Sequence, residues 1–436
     1  MFIQFVCYLQ VMELVDSKER LVTYMFKTKT LSLKQNISWI LIGNVLFSIC
    51  QWGILSSLSK LGNDQMIGQF TLAVAITGPA FMLSSLQLRS LLATETTNQI
   101  HIDIYLKLRG LTSILSLVVI ISIVSLLELD MSTKLVILLV AILKLIESGS
   151  DLLYGFFQQQ ERLDIVAKSL LLRGIISFLL FSISLYFFNN LYIALFVYIL
   201  TWLMVLHCYE RKHVHLPVNW KIEKRSMLVL VKLGFPLGVV LCIISINSNV
   251  QKYILSYFLD VTHVGYFSAI AYLTIIGNIF INGIGQAFSP RFAQLISTQK
   301  VNELKKLLYK LNMLALLLGT IGIILSLLVG EDILVLIYNE QIGQYTNLLV
   351  LVIISAAFNF MSTFSGYALT AGRFVNAQPI LHFIVFLAGI LSSYVFISKF
   401  GLNGAGYSMV ATSAVQWIGS TLLLQKFLKS NISVGE

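Results

Sequence analysis

Apolar residues run along this chain in stretches of about 20, the length a helix needs to cross a bilayer core of about 30 Å. Six such stretches lie at 37–58, 68–92, 110–128, 134–156, 169–188 and 191–210. Six more lie at 228–258, 265–289, 306–329, 347–370, 379–398 and 404–425. The pattern predicts an all-α integral membrane protein with twelve transmembrane helices.

The second set repeats the first. Ile67-Gly68-Gln69-Phe70-Thr71-Leu72-Ala73 recurs about 197 positions later as Val264-Gly265-Tyr266-Phe267-Ser268-Ala269-Ile270. At an offset of about 211, Gly155 and Arg162 match Gly366 and Arg373. Six spans per repeat is an even number, so both halves enter the membrane in the same direction. That predicts two six-helix lobes related by a pseudo-two-fold axis along the membrane normal, with cargo bound between the repeats. The expected divisions are an amino-terminal segment 1–36, an N-lobe 37–210, a linker 211–227 and a C-lobe 228–436. The linker is basic, is interrupted by Pro217, and carries His213 and His215, two histidines without further ligands that read as a solvated loop rather than a metal site.

Composition narrows the picture further. Apolar residues make up 57% and charged residues 11%, values that exclude an ordinary soluble domain. A net charge of +10 would suggest nucleic acid in a soluble chain; here it reports topology. With the amino terminus in the cytoplasm, 24 of the 30 Lys and Arg fall on that side. Only Lys60, Lys134 and Lys399 fall on the other, and Lys144, Lys232 and Lys252 lie within spans. The positive-inside rule therefore places both termini of this multi-pass membrane protein in the cytoplasm. Met1 to Val15 is too short to span and lacks a small-residue cleavage site. Met25, followed by Phe26-Lys27-Thr28-Lys29, reads as an alternative start, with residues 1–24 either upstream of the native protein or a loose interfacial segment. Cys7, Cys50, Cys208 and Cys242 are irregularly spaced and suggest neither a disulfide framework nor a zinc site.

Charges inside spans cost at least about 2.5 kcal/mol each and call for partners or a wet cavity. In the fourth span Lys144, Glu147 and Asp151 share one helix face. Lys144 can neutralise Glu147 in a packing cluster. Alternatively, two neighbouring acids in a low-dielectric site make Glu147 and Asp151 candidates for ion coupling, and pairing of Lys144 with Glu147 would leave Asp151 the freer carrier. Arg173 and Lys232 stand near expected cytoplasmic ends and read as snorkelling into headgroups, with Arg89 similar but deeper.

Polar stripes add to the inventory. Asn44, Ser48 and Gln51 recur at helical spacing in the first span, Asn247, Ser248 and Gln251 surround Lys252 in the seventh, and Asn278, Asn282 and Gln286 repeat every four residues in the eighth. Amides of this kind serve either as interhelical glue or as the hydrogen-bonding wall of a polar cavity. Lys252, Arg89 and Lys144 are the cations such a cavity could offer an anionic cargo. No Gly-x-x-x-x-Gly-Lys-Ser/Thr loop is present, so no nucleotide cofactor is expected; a gradient of H+ or Na+, or removal of cargo on the far side, must drive transport.

The aligned Gly-x-Phe motifs, Gln286-Ala287-Phe288-Ser289-Pro290-Arg291-Phe292-Ala293 and Gly372-Arg373 resemble the polysaccharide transporter family. That family includes O-antigen and capsule repeat-unit flippases, in the superfamily that also holds multidrug and toxic compound exporters and lipid II flippases. The resemblance implies two lobes around a central cavity open alternately to each side. Through it a polyprenyl-diphosphate-linked oligosaccharide passes from the inner to the outer leaflet, with membrane lipids and a polysaccharide polymerase as candidate partners. It places the first and seventh spans, hence Lys252, beside the cavity. A drug exporter of the same fold is the rival; the mixed charges favour anionic cargo over the organic cations such an exporter carries. A membrane polymerase or ligase would need a large outer loop with catalytic residues. The longest outer connection, 330–346, carries no such constellation, so no enzyme is expected.

Overall fold

The computed structural model describes residues 33–95, 101–214, 224–372, 374 and 377–432. Within them all regular structure is helical. The first half comprises α1 (Leu33–Leu61), α2 (Asp64–Ser85), α3 (Leu88–Thr94), α4 (Ile102–Leu126), α5 (Met131–Gln159), α6 (Leu163–Phe188) and α7 (Leu191–Val205), ending in a π turn at Leu206–Glu210. The second comprises α8 (Lys224–Asn247), α9 (Val250–Phe258), α10 (Val261–Tyr272), α11 (Ile275–Ser297), α12 (Val301–Ile337), α13 (Glu340–Gly343), α14 (Thr346–Ala371) and α15 (Gln378–Ile432).

Nine helices among the described residues are long and apolar enough to cross a membrane, or ten when α10 and α11, bent by 41° at their junction, are taken together. Two departures from the expected twelve have local causes. The face formed by Lys144, Glu147 and Asp151 sets the 29-residue α5 apart from the apolar helices. The run α15 is continuous through two expected spans, but Gly401 turns the chain with φ 56° and ψ −132°, a conformation open to glycine and costly for residues with a Cβ. The expected 330–346 connection is largely helix, because α12 continues to Ile337 beyond a kink at Val329 and α13 follows. Residues 1–32, 215–223 and 373 lie outside the described residues, and with them the upstream segment, His215 and Arg373.

Large apolar side chains stand exposed along whole helix faces, among them Leu111, Ile114, Leu115 and Val118 on α4 and Leu317, Ile324 and Leu328 on α12. Exposed apolar surface on this scale is stable against lipid, not water. Each half also repeats one packing plan. Helix α5 packs on α2, α3, α4 and α7, and α14 packs on α10, α11, α12 and α15.

The repeated glycine motifs bring the halves together. A Cβ on Gly68 would lie 1.8 Å from the Val261 carbonyl oxygen, and one on Gly265 would lie 2.7 Å from the Gly68 amide nitrogen. Only hydrogen at these positions lets α2 and α10 approach backbone to backbone. Around this crossing a network joins the halves. Asp64 accepts hydrogen bonds from the Tyr266 hydroxyl (2.8 Å) and the Asn339 amide (2.8 Å). Ser56 donates to the Ile337 carbonyl (2.6 Å), Trp52 donates to Tyr338 (3.0 Å), and the Lys60 ammonium reaches the Leu336 carbonyl. The largest apolar cluster, running from Ile54 and Leu72 to Phe267 and Leu348, closes this end of the bundle.

Candidate functional site: a charged cavity in the first half

The cavity begins with a broken helix. Leu86 and Gln87 adopt left-handed conformations (φ 47° and 51°), so α2 stops at Ser85 and α3 restarts at Leu88 within what is still one span, Asp64–Thr94. Neither is glycine, and each such residue costs about 1 kcal/mol or more, which surrounding contacts must offset. Ser85 Oγ accepts from the Gln87 amide and Ser90 Oγ donates to the Gln87 side chain, while Gly234 of α8 lets that helix press against the Leu86 carbonyl. The break aims Arg89 inward. Opposite it, Gly155 admits the Arg89 backbone, since a Cβ there would lie 2.8 Å from the Arg89 carbonyl oxygen. One turn earlier on α5 stands Asp151.

Arg89 Nη1 lies 3.1 Å from Asp151 Oδ1, and Arg109 Nη2 of α4 lies 3.3 Å from Asp151 Oδ2. Lys144 Nζ lies 2.6 Å from Glu147 Oε2. Arg173 of α6 is 2% exposed and lies 2.9 Å from Glu210 Oε1, itself fully buried. The Arg173 guanidinium also stacks 4.6 Å over the Trp202 ring and contacts Ser150, while Glu210 accepts from Tyr154 (3.1 Å) and Ser169. The π turn at Leu206–Glu210 presents Glu210 to this cluster, as π turns often do at functional sites. The four cations, Glu147, Asp151, Tyr154 and Trp202 wall a cavity of about 340 Å³ that Asn44, Ser85 and Leu241 also line.

Four cations, Arg89, Arg109, Lys144 and Arg173, face Glu147 and Asp151 with Glu210 behind them, a net charge of +1. Arg109 Nη1, Arg173 Nε and Glu210 Oε2 are buried without a hydrogen-bond partner among the described residues. An orphaned arginine N–H is costly in a low dielectric, so the lining Arg109 and Arg173 favour a hydrogen-bonding anion over an apolar guest; the Glu210 oxygen lies behind the lining and does not contribute to that preference.

Of the residues singled out in the sequence, Asn44, Arg89, Lys144, Glu147 and Asp151 meet here. The other residues expected to bind cargo do not line this cavity, whereas Arg173, expected only to snorkel, does. Gln51 exchanges hydrogen bonds with the Tyr198 hydroxyl (2.8 Å) and ties α1 to α7. In the second half Lys252 is half-buried and forms no ion pair among the described residues, Gln251 is buried, and Asn247 Oδ1 is buried without a partner. Asn278 is half-buried, Asn282 and Gln286 are exposed, and Asn282 donates to the Asn278 carbonyl (2.8 Å). Two guanidiniums hold Asp151, whereas among the described residues Glu147 forms an ion pair with Lys144 alone, so Asp151 is the more tightly held of the two acids.

The snorkelling reading of Arg173 is also corrected. Helix α6 begins at Leu163, six residues before the apolar stretch, so Arg173 lies about 15 Å along it. Arg109, counted in the sequence only as a positive end charge, is a cavity residue, and Tyr154 and Glu210 were not singled out. The available signal for Glu210 was an acid standing among basic residues at the end of an apolar run.

The described residues thus form a multi-pass helical bundle around a charged cavity. Residues 33–296 match the family described as polysaccharide biosynthesis protein. The chain belongs to that family. It is 27% identical over 394 residues to the capsular polysaccharide biosynthesis protein CapF of Staphylococcus aureus, covering 88% of this chain and 97% of that protein. Its fold is similar to an inward-facing multidrug resistance MATE transporter (TM-score 0.71, 13% identity, 90% of this chain and 96% of that one). It is similar too to the lipid II flippase MurJ in an inward closed conformation (TM-score 0.67, 14% identity, 88% and 87%).

Proposed function

We propose that this protein flips a polyprenyl-diphosphate-linked oligosaccharide repeat unit from the inner to the outer leaflet of the cell membrane, for capsule, O-antigen or a similar exopolysaccharide. The observation that carries the reading is the cavity's net positive charge, with arginine donors turned inward and a buried unpartnered Arg109 Nη1. A diphosphate matches such a donor set, and arginine forks bind phosphate oxygens pairwise. Asn44 and Ser85 supply hydrogen bonds for sugar hydroxyls. The name of the capsular relative and the family's description support the same substrate class.

In this reading α5 is also a span and Gly401 divides α15 into two, which yields twelve helices in two six-helix lobes with both termini cytoplasmic. The Asp64 network then closes the outer end, and cargo enters from the inner side. Lys252, Asn247, Gln251, Asn278, Asn282 and Gln286 meet the cargo as the lobes rearrange around it. Ion coupling by H+ or Na+ falls to Glu147 rather than Asp151, because among the described residues it forms an ion pair with one lysine where Asp151 holds two guanidiniums. An exporter of organic cations would need an unpaired acid, and both cavity acids already hold a cation within 3.3 Å.

The test is Arg89→Ala, assayed for lipid-linked repeat units in cells that also synthesise the polymer. An inserted Arg89→Ala protein accumulates those units on the inner leaflet and loses polymer output. Normal output from that variant overturns the assignment.

A further inference from the structure

Helix α12 carries a second basic site away from the cavity. Its first turns pack beside the last turns of α11, leaving a cleft of about 240 Å³ lined by Phe288, Arg291 and Leu295 from α11 and by Glu303, Lys306 and Lys310 from α12. Glu303 is engaged by Lys300 (3.1 Å) and by Arg291 (3.8 Å), and Arg291 also donates to Gln294 (2.7 Å). Lys306 and Lys310, one turn apart and exposed, make no ion pair or side-chain hydrogen bond among the described residues. The cleft therefore has a surplus of positive charge that the protein leaves unneutralised.

Lys306 and Lys310 also open a continuous stripe. At steps of three and four residues the same face of α12 runs through Met313, Leu317, Ile321, Ile324 and Leu328, all exposed and all apolar. Lys310 to Leu328 spans about 27 Å along the axis, close to the thickness of a bilayer's hydrocarbon core. Charge resumes immediately beyond, at Glu331 and Asp332. The two lysines thus sit at headgroup depth, with an apolar track leading from them into the bilayer, and Phe288 flanks the cleft with a ring for the start of an acyl chain. A cationic head joined to an apolar track is complementary to a phosphodiester headgroup and its chains.

We infer that the α11–α12 cleft binds the headgroup of an anionic phospholipid, with Lys306 and Lys310 on the phosphate and Arg291 held in reserve by Glu303. The inference rests on the membrane reading alone and does not require the proposed cargo.

The full-length protein, purified and depleted of lipid, is titrated with phosphatidylglycerol and with phosphatidylcholine, and retained lipid is counted by native mass spectrometry. Phosphatidylglycerol is retained preferentially. In Lys306→Gln/Lys310→Gln its affinity falls by roughly ten- to thirty-fold, taking each lysine near an anionic surface as worth a factor of about five. Lys306→Arg/Lys310→Arg keeps the preference. Melting temperatures of both variants match the parent, since the substituted side chains are exposed. Equal retention of the two lipids, or unchanged phosphatidylglycerol retention in the Gln variant, overturns the inference. So does displacement of phosphatidylglycerol by millimolar inorganic pyrophosphate, which would mark the cleft as a station for a diphosphate cargo.

Discussion

Substituting Gly68 by alanine tests whether the repeated glycine motif holds the two halves together. The added Cβ would lie 1.8 Å from the Val261 carbonyl oxygen and 2.5 Å from its carbon, whereas ordinary contact begins at 3.4 Å. Relief requires α2 and α10 to part by about 1.6 Å at this point. That movement stretches the Asp64 bonds to Tyr266 and Asn339, now 2.8 Å each, beyond hydrogen-bonding range. Overpacking of this kind costs about 1–3 kcal/mol, a factor of about 5–150 in the balance between joined and parted halves. A cysteine at Leu72, one turn along α2 and 2% exposed, reports that balance in a protein whose native cysteines are replaced by serine. Its reaction with a membrane-impermeant thiol reagent accelerates in Gly68→Ala by a factor in that range, and cargo export falls. Gly110→Ala, where a Cβ meets nothing within 4 Å, labels at the parent rate. If Gly68→Ala also labels and exports as the parent does, the glycine contact does not hold the halves closed.

Glu210→Gln leaves the buried Arg173 without its counter-charge and lowers stability by about 3–5 kcal/mol, read as a drop in melting temperature in detergent; Arg173→Met/Glu210→Met recovers most of it. Lys252→Ala inserts normally but accumulates lipid-linked repeat units, and Lys252→Arg retains part of the export; wild-type polymer output in the alanine variant removes Lys252 from the transport path. Glu147→Gln makes export insensitive to an uncoupler while Asp151→Asn, which releases Arg89 and Arg109, lowers the export rate but keeps the uncoupler response. The reverse pattern would return the coupling role to Asp151.

Much of this protein is readable from its order of residues. Apolar stretches the length of a bilayer, the recurrence of Gly68 and Gly265, and the Lys144-Glu147-Asp151 face are local or periodic properties, and helices satisfy their own backbone hydrogen bonds within one segment. The meeting of the two glycines, by contrast, depends on how α2 and α10 cross. The fate of Asp151 was likewise illegible: nothing along the chain relates it to Arg89 and Arg109, which lie 62 and 42 residues away. Arg173 was misread because an apolar window marks where lipid contact begins, and α6 starts earlier, among charged residues. Glu210 reaches the same cluster through a π turn, where Arg173, Tyr154 and Ser169 engage it. Charge partners in a membrane bundle are chosen by helix packing, since a buried charge finds stability only in neighbours that other segments bring within about 3 Å.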